Sequence, residues 1–301
     1  MDRFFALISE FKGKYPDGKL LENEPMSRHT TLGIGGPVKA MFLPESEDEA
    51  AYVFGRCAEL GVPYLVLGNG SNLLFSDDVH DIAVIKTAGL NSVSADGNVI
   101  TAGAGVMLAR IASAALTAGL TGFEFAHGIP GSLGGALVMN AGAYGGEMKD
   151  VVESVTVLKK DGRLEKYGIE QCGFSYRHSA FESGDLVLSG RIRLEPGDRD
   201  AIKEKMNDLA SRRREKQPLD MMSAGSTFKR PENGYAAALI DEAGLKGTRV
   251  GGAMVSEKHA GFLVNAGGAT FDDFTGLMEK VQKTVFERSG IMLEPEVKII
   301  H

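Results

Sequence analysis

Cysteine is scarce in this chain. Only Cys57 and Cys172 occur, far apart and with no CxxC spacing. A disulfide framework or a zinc site is therefore not expected, and a reducing cytoplasm fits. Long apolar runs are missing too. No segment reaches the roughly 18 uninterrupted apolar residues of a membrane span, and the opening MDRFFALISEFKGKYP carries acids early, unlike a secretory signal. An excess of basic charge is also absent: 33 Lys and Arg stand against 40 Asp and Glu, a formal net charge of -7. That argues against a nucleic-acid backbone or an anionic membrane as the main partner, while local basic clusters can still bind a small anion. The expectation is a soluble cytoplasmic protein with neither nucleic-acid binding nor membrane insertion.

Several site motifs are lacking as well. No GxGxxG follows the first strand with an acid about 20 residues on, and no GxxxxGK[ST] occurs, so a Rossmann nicotinamide domain and a P-loop ATPase are disfavoured. No GxSxG marks a hydrolase serine. No HExxH or paired histidine spacing suggests a metal.

What the chain has in excess is glycine, 39 of 301 residues, nearly twice the usual roughly 7%. The glycines gather in short apolar segments, where backbone must approach something closely. Four such segments stand out: Leu32–Pro37, Leu67–Asn72, Gly103–Gly105 and Gly128–Gly146. Each reads equally as a plain turn or as a row of N–H donors for an anion; four together, beside strands and helix starts, suit a nucleotide cofactor.

Periodicity and turn signals give the organisation. Residues 1–15 read as an amphipathic helix, Val38–Leu43 as a strand, and Ser46 with Glu49 as a capping box opening a helix to Leu60. Strands follow at Pro63–Leu67 and Ile82–Lys86. Hairpins are expected around Asp96-Gly97 and Asp161-Gly162, a helix over Met107–Ala118, another opening at Gly131–Gly135, and a strand over Leu186–Leu194. The composition changes at Glu195-Pro196-Gly197-Asp198, before a charged helix through Arg214. Beyond it lie a helix (Tyr235–Ala243), two short strands (Gly251–Val255, Gly261–Val264), a long helix (Phe271–Ser289) and a last strand (Pro295–Ile300). The expected domains are a lead-in over 1–24, a region over 25–195 with subdomains dividing near 91, and an α+β domain over 196–301.

Three polar clusters are candidates for chemistry. Arg177 sits between aromatics in FSYRHSAF, suited either to forking a carboxylate or to covering a tyrosine ring at the surface. The basic run Arg212–Lys216 and the segment GSTFKRP around Ser226 fit either an anion pocket or a solvated basic helix end. Glu296 enters the last strand, where an acid is as readily solvent-facing as functional, and His259 is equally ambiguous.

Taken in order, Leu32–Pro37, Leu67–Leu74, Gly128–Glu147, Tyr176–Phe181, Gly225–Pro231 and Leu293–Val297 closely resemble the UDP-N-acetylenolpyruvoylglucosamine reductases of bacterial peptidoglycan synthesis, over nearly the whole chain. The resemblance implies an α+β fold. It places an FAD-binding region of the vanillyl-alcohol-oxidase/p-cresol-methylhydroxylase type before a C-terminal substrate domain. It implies noncovalent FAD, NADPH as co-substrate and UDP-N-acetylglucosamine enolpyruvate as substrate. Residue by residue it implies Arg177, Ser226 and Glu296 as catalytic, with Ser226 protonating the carbon that receives negative charge. Cofactor contacts are implied at Ile34, Gly35, Gly36, Leu67, Gly68, Asn69, Gly70, Ser71, Asn72, Gly128, Ile129, Pro130, Gly131, Ser132, Gly134, Gly135, Asn140, Ala141 and Gly142. Substrate contacts are implied at Tyr144, Lys216, Lys229, Arg230 and His259. Two positions depart from parts of the family: Arg230 stands where some members have asparagine, and His259 where some have glutamine. The short segment between Phe228 and Ala243 leaves no room for an inserted tyrosine loop, so the chain resembles the second, shorter subtype. A flavin oxidase of the same cofactor fold and a flavin-free nucleotide-sugar binding module are the readings it displaces.

Overall fold

The computed structural model describes residues 2–301 and divides them into two compact, interleaved units. One comprises the chain up to Asn23, Val38–Asn69 and Asp81–Ser211; the other comprises Glu24–Pro37, Gly70–His80 and Arg212–His301. The expected domains were continuous, with a cut at 195. In the structure Glu195-Pro196 pairs with Leu120-Thr121, so the chain past that point still belongs to the first unit. Among the described residues, no helix is long and apolar enough to cross a membrane.

The first unit is built on two sheets. The strands Leu20–Pro25, Pro37–Phe42, His80–Lys86 and Tyr64–Leu67 lie in that spatial order. His80–Lys86 and Tyr64–Leu67 run parallel, which fits their continuous apolar character. Phe4, Leu7 and Phe11 of the first helix (Arg3–Lys14) pack with Val53, Phe54 and Cys57 of the second (Glu47–Leu60) in one core. Ser46 caps that second helix through its hydroxyl to the N–H of Glu49, as expected. The reciprocal carboxylate bond goes to the N–H of Glu45 rather than Ser46.

The second sheet has the order Leu164–Gly168, Val152–Leu158, Leu186–Arg193, Val99–Gly103, Val93–Asp96, all antiparallel. The first hairpin turns at Gly97-Asn98, one residue later than the sequence suggests, with Gly97 left-handed at φ 53°. A core of aliphatic side chains fixes the helix Leu108–Ala118 and the short helix Leu133–Val138 on this sheet. Inside the glycine-rich block lies a small hairpin, Gly142-Ala143 with Gly146-Glu147, that the sequence did not signal.

The second unit holds a four-stranded antiparallel sheet, Met222-Ser223, Leu263–Asn265, Ala253–Val255, Arg249-Val250. The helix Phe271–Ser289 packs its buried Phe274, Leu277, Met278, Val281 and Val285 in this unit's core. Thr270 and Asp273 close a reciprocal capping box at its start. Leu32, Ile34 and Leu74 join the same core, which is why the two early segments belong here. The last strand, Lys298–Ile300, pairs in parallel with Leu73–Phe75.

Candidate active site

In the first unit, Tyr64–Leu67 delivers Gly68 to the start of the helix Leu133–Val138. A Cβ on Gly68 would stand 2.4 Å from Ser132 Oγ and 3.7 Å from the Gly135 nitrogen. Any larger residue there would have to push the Ser132 hydroxyl aside. Ser132 occupies the N-cap position, yet its hydroxyl caps nothing. Ser132 Oγ is buried and finds no hydrogen-bond partner among the described residues. A buried hydroxyl without a partner is costly, and native proteins keep one where something else completes it. The N–H groups of Leu133 and Gly134 are taken by the carbonyls of Val106 and Ala104. Around Gly135 a Cβ would meet only Ser132 Oγ, at 3.8 Å. Gly68, Ser132 and Gly135 thus form a small, close-approach cluster with a donor to spare, which fits a phosphate or ring oxygen of a flavin nucleotide. Asn69 is fixed beside it by a 2.7 Å bond from its amide to the Pro130 carbonyl. Gly131 is buried, while Gly128, Ile129 and Pro130 are open to solvent in varying degree.

Not every glycine serves a ligand. Gly103 and Gly105 lie where a Cβ would run into the carbonyls of Leu90 and Thr87, at 2.3 and 2.0 Å. That segment's glycines are explained by the chain's own packing.

Further along the same unit, two tight turns carry polar side chains. Tyr144 and Gly145 link the small hairpin with φ of 54° and 89°, a two-residue turn of the kind hairpin twist favours. Tyr144 holds a conformation costly for a tyrosine, and its ring is exposed. Ser175 and His178 exchange both backbone hydrogen bonds, 3.1 and 3.2 Å, around Tyr176 and Arg177. Arg177 sits at φ 55° where glycine is the usual occupant. Its guanidinium lies 5.1 Å from the Tyr176 ring centroid and donates to the Gly142 carbonyl at 3.4 Å. Asn140, buried and at φ 41°, bonds protein groups through both amide hydrogens and its carbonyl oxygen. Ala141 and Gly142 lead from it into the hairpin.

In the second unit, Ile34, Gly35 and Gly36 are buried, and Gly36 could carry no Cβ: it would fall 2.0 Å from the Asp78 carbonyl. Gly70, at φ 64°, is similarly pressed on the His29 carbonyl. The Asn72 amide donates to the Glu296 carbonyl at 3.1 Å, and the Lys298 N–H returns to the Asn72 carbonyl at 3.0 Å. Ser71, which precedes Asn72, is half-buried.

Thr227 ties the segments of this part of the unit together, and sequence reasoning missed it. It is buried; its N–H donates to the Gly261 carbonyl at 2.9 Å, and its hydroxyl accepts from the Leu263 N–H at 3.1 Å. On its other side the Thr227 carbonyl accepts the Glu296 N–H at 2.8 Å, and the Lys229 N–H donates to the Glu294 carbonyl. Ser226 and Glu296 are thereby held on adjacent chain segments, with Ser226 exposed and Glu296 half-buried. Gly225, at φ 75° with open space around it, turns the chain into Ser226. The Lys229 ammonium reaches Glu294 at 3.4 Å. Arg230 stacks 4.5 Å from the centroid of the Tyr235 ring. Lys216 ends the charged helix and is exposed. His259 Nδ1 accepts from the Gly261 N–H at 3.1 Å, which leaves the ring proton on Nε2. Burial holds the His259 pKa below the ordinary histidine value, helped by the positive charge of Lys246.

Residues 38–168 match the model of the FAD binding domain, and residues 217–300 match the UDP-N-acetylenolpyruvoylglucosamine reductase C-terminal domain. The chain is 50% identical over 295 residues to the UDP-N-acetylenolpyruvoylglucosamine reductase of Caldanaerobacter subterraneus subsp. tengcongensis, covering 98% of both chains. It is similar to the crystal structure of UDP-N-acetylenolpyruvylglucosamine reductase from Thermus caldophilus, with a TM-score of 0.81 and 36% identity over 94% of this chain and 99% of that one. BBE-like 1 of Physcomitrella patens shares the fold of 63% of this chain and 44% of its own, with a TM-score of 0.52 at 14% identity. The architecture is α+β, with an FAD binding domain followed by the C-terminal domain of the reductase family.

Proposed function

The chain belongs to the UDP-N-acetylenolpyruvoylglucosamine reductase family, and on that premise we propose that it reduces UDP-N-acetylglucosamine enolpyruvate to UDP-N-acetylmuramate in the cytoplasm, with Ser226 as proton donor. FAD, when bound, takes electrons from NADPH and supplies them to the enolpyruvyl double bond. The protein's part is to bind, orient and manage the charge and the proton.

Reduction at the terminal carbon leaves negative charge on the carbon bearing the carboxylate. Arg177 stabilises that charge by its own, and Glu296, in its protonated form, does so by donating a hydrogen bond. Ser226 delivers the proton. A serine hydroxyl is a weak acid, but it suffices toward a carbanion-like carbon of high proton affinity when held within hydrogen-bond reach. The observation that carries this reading is the pairing at Thr227, whose carbonyl takes the Glu296 N–H and so keeps Ser226 and Glu296 on neighbouring segments of one unit.

FAD is held noncovalently. Its contacts are assigned to Ile34–Gly36, Leu67–Asn72, Gly128–Ser132, Gly134, Gly135, Ala141 and Gly142, with the unpartnered Ser132 hydroxyl the best-supported single donor. Tyr144, Lys216, Lys229, Arg230 and His259 are assigned to substrate. His259, with its proton on Nε2, offers one neutral N–H donor where a glutamine amide would offer two. The FAD-binding region is assigned to 25–195 and the substrate domain to 196–301, in the shorter subtype, as stretches of sequence that do not coincide with the two compact units.

The test is anaerobic. The purified protein, reduced by NADPH, is mixed with UDP-N-acetylglucosamine enolpyruvate. Return of the oxidised flavin absorbance with formation of UDP-N-acetylmuramate is expected. A flavin that stays reduced, or a protein that carries none, would sink the proposal.

A further inference from the structure

We infer that Asn140 is a positioning residue for the reaction, registering the turn that carries Arg177 against the hairpin that carries Tyr144; this rests on the proposed role of Arg177. The family resemblance places Asn140 among the cofactor contacts, but its side chain has no donor left to offer a cofactor. Its Nδ2 has two hydrogens, and both are used: one donates to Glu147 Oε2 at 3.0 Å, the other to the Ser175 carbonyl at 2.9 Å. Its Oδ1 accepts the Lys149 N–H at 3.0 Å. One N–H donor and two oxygen acceptors around it fix which end of the amide is which.

The partners come from two separate segments. Glu147 closes the hairpin that turns at Tyr144-Gly145, and Lys149 lies two residues beyond it. Ser175 opens the tight turn Tyr176-Arg177 and accepts the His178 N–H that closes it. One fully buried amide thus ties the hairpin to the turn, and Arg177 itself repeats the tie by donating to the Gly142 carbonyl. Both turns hold non-glycine residues left-handed, so neither is at rest in its own local minimum. A strained turn stays in place only where surrounding structure over-determines it, and Asn140 is the side chain bonded to both. Asparagine also suits its own φ of 41°, which a branched or bulky residue would not adopt.

The test separates backbone from side chain. Asn140→Gly keeps the left-handed backbone at no steric cost and removes all three side-chain bonds. Asn140→Asp keeps the acceptor for Lys149 but sets a carboxylate against the Glu147 carboxylate and the Ser175 carbonyl. Both holoenzymes are expected to retain FAD and to be reduced by NADPH at the wild-type rate. Reoxidation by substrate is expected to slow roughly tenfold or more, with Asp worse than Gly, as a catalytic group displaced by about an ångström would require. Amide hydrogen exchange at His178, read without turnover, should speed up in both. Asn140→Gly in an Arg177→Ala background should add no more than about twofold to the slowing by Arg177→Ala alone, since Asn140 acts through that arginine. A multiplicative double variant overturns the proposal, as does a slowing of both half-reactions together with loss of FAD. Slow Arg177→Ala beside normal Asn140→Gly also overturns it. A normal Arg177→Ala instead removes the Arg177 role on which it stands.

Discussion

Ser132→Ala should move stability and cofactor affinity in opposite directions. Ser132 Oγ is buried, unused as a helix cap and without a partner among the described residues. Leaving such a group unpaired costs about 1–3 kcal/mol. Truncation to alanine removes that cost from the flavin-free protein, so the apoprotein should gain on the order of 1 kcal/mol, which in a chain of this size raises its unfolding midpoint by roughly 2 °C. If the hydroxyl completes its bonding with FAD, the same truncation removes one hydrogen bond to a charged or strongly polar oxygen, about 1.5–3 kcal/mol. At 1.4 kcal/mol per decade, affinity for FAD should fall roughly 10- to 150-fold. Apoprotein titrated with FAD, followed by flavin fluorescence and by the thermal midpoint at each concentration, reads both numbers. Gly68→Ala is the companion, since its Cβ would displace the same hydroxyl from 2.4 Å. Wild-type FAD affinity in Ser132→Ala would refute the assignment, whatever happened to stability.

Two further outcomes follow from backbone and charge. Arg177 sits left-handed, so Arg177→Gly should be about 1 kcal/mol more stable than Arg177→Ala in denaturant unfolding, with both equally defective in reoxidation by substrate; equal stability would argue that the turn relaxes. His259 has a folded pKa below its unfolded value of about 6.5. Its folded state therefore binds fewer protons, so its contribution to stability is intact above that pH and is lost as pH falls through about 6.5 and below. The gap in unfolding midpoint between wild type and His259→Gln should shift against wild type on acidification; a gap that stays constant from pH 8 to 5 would remove the effect.

Much of the fold could be read from local pattern, because helices such as Phe271–Ser289 and hairpins such as Val152–Leu158 with Leu164–Gly168 are written in short-range periodicity and turn residues. Pairings over long separations could not. The parallel pair Leu73–Phe75 with Lys298–Ile300 joins segments more than two hundred residues apart, and nothing in either segment names the other. Glycine was read as a sign of ligand approach; at Gly36, Gly70, Gly103 and Gly105 the close neighbour is instead the chain's own carbonyl, and at Gly68 it is the Ser132 hydroxyl. A sequence cannot say which of the two a glycine accommodates. The left-handed backbones of Tyr144 and Arg177 were equally hidden, since neither residue type favours that region and only the surrounding bonds impose it. Thr227 escaped notice because its importance lies in main-chain bonds to Gly261 and Glu296, which any residue with a backbone could have made; only its buried hydroxyl bond to Leu263 is particular to threonine or serine.

The central claim, that Ser226 supplies the proton, is tested most directly by Ser226→Ala in the anaerobic half-reactions. The variant should bind FAD and be reduced by NADPH as the wild type is, while reoxidation by UDP-N-acetylglucosamine enolpyruvate slows by roughly two to four orders of magnitude. Reoxidation of Ser226→Ala at the wild-type rate would contradict the account.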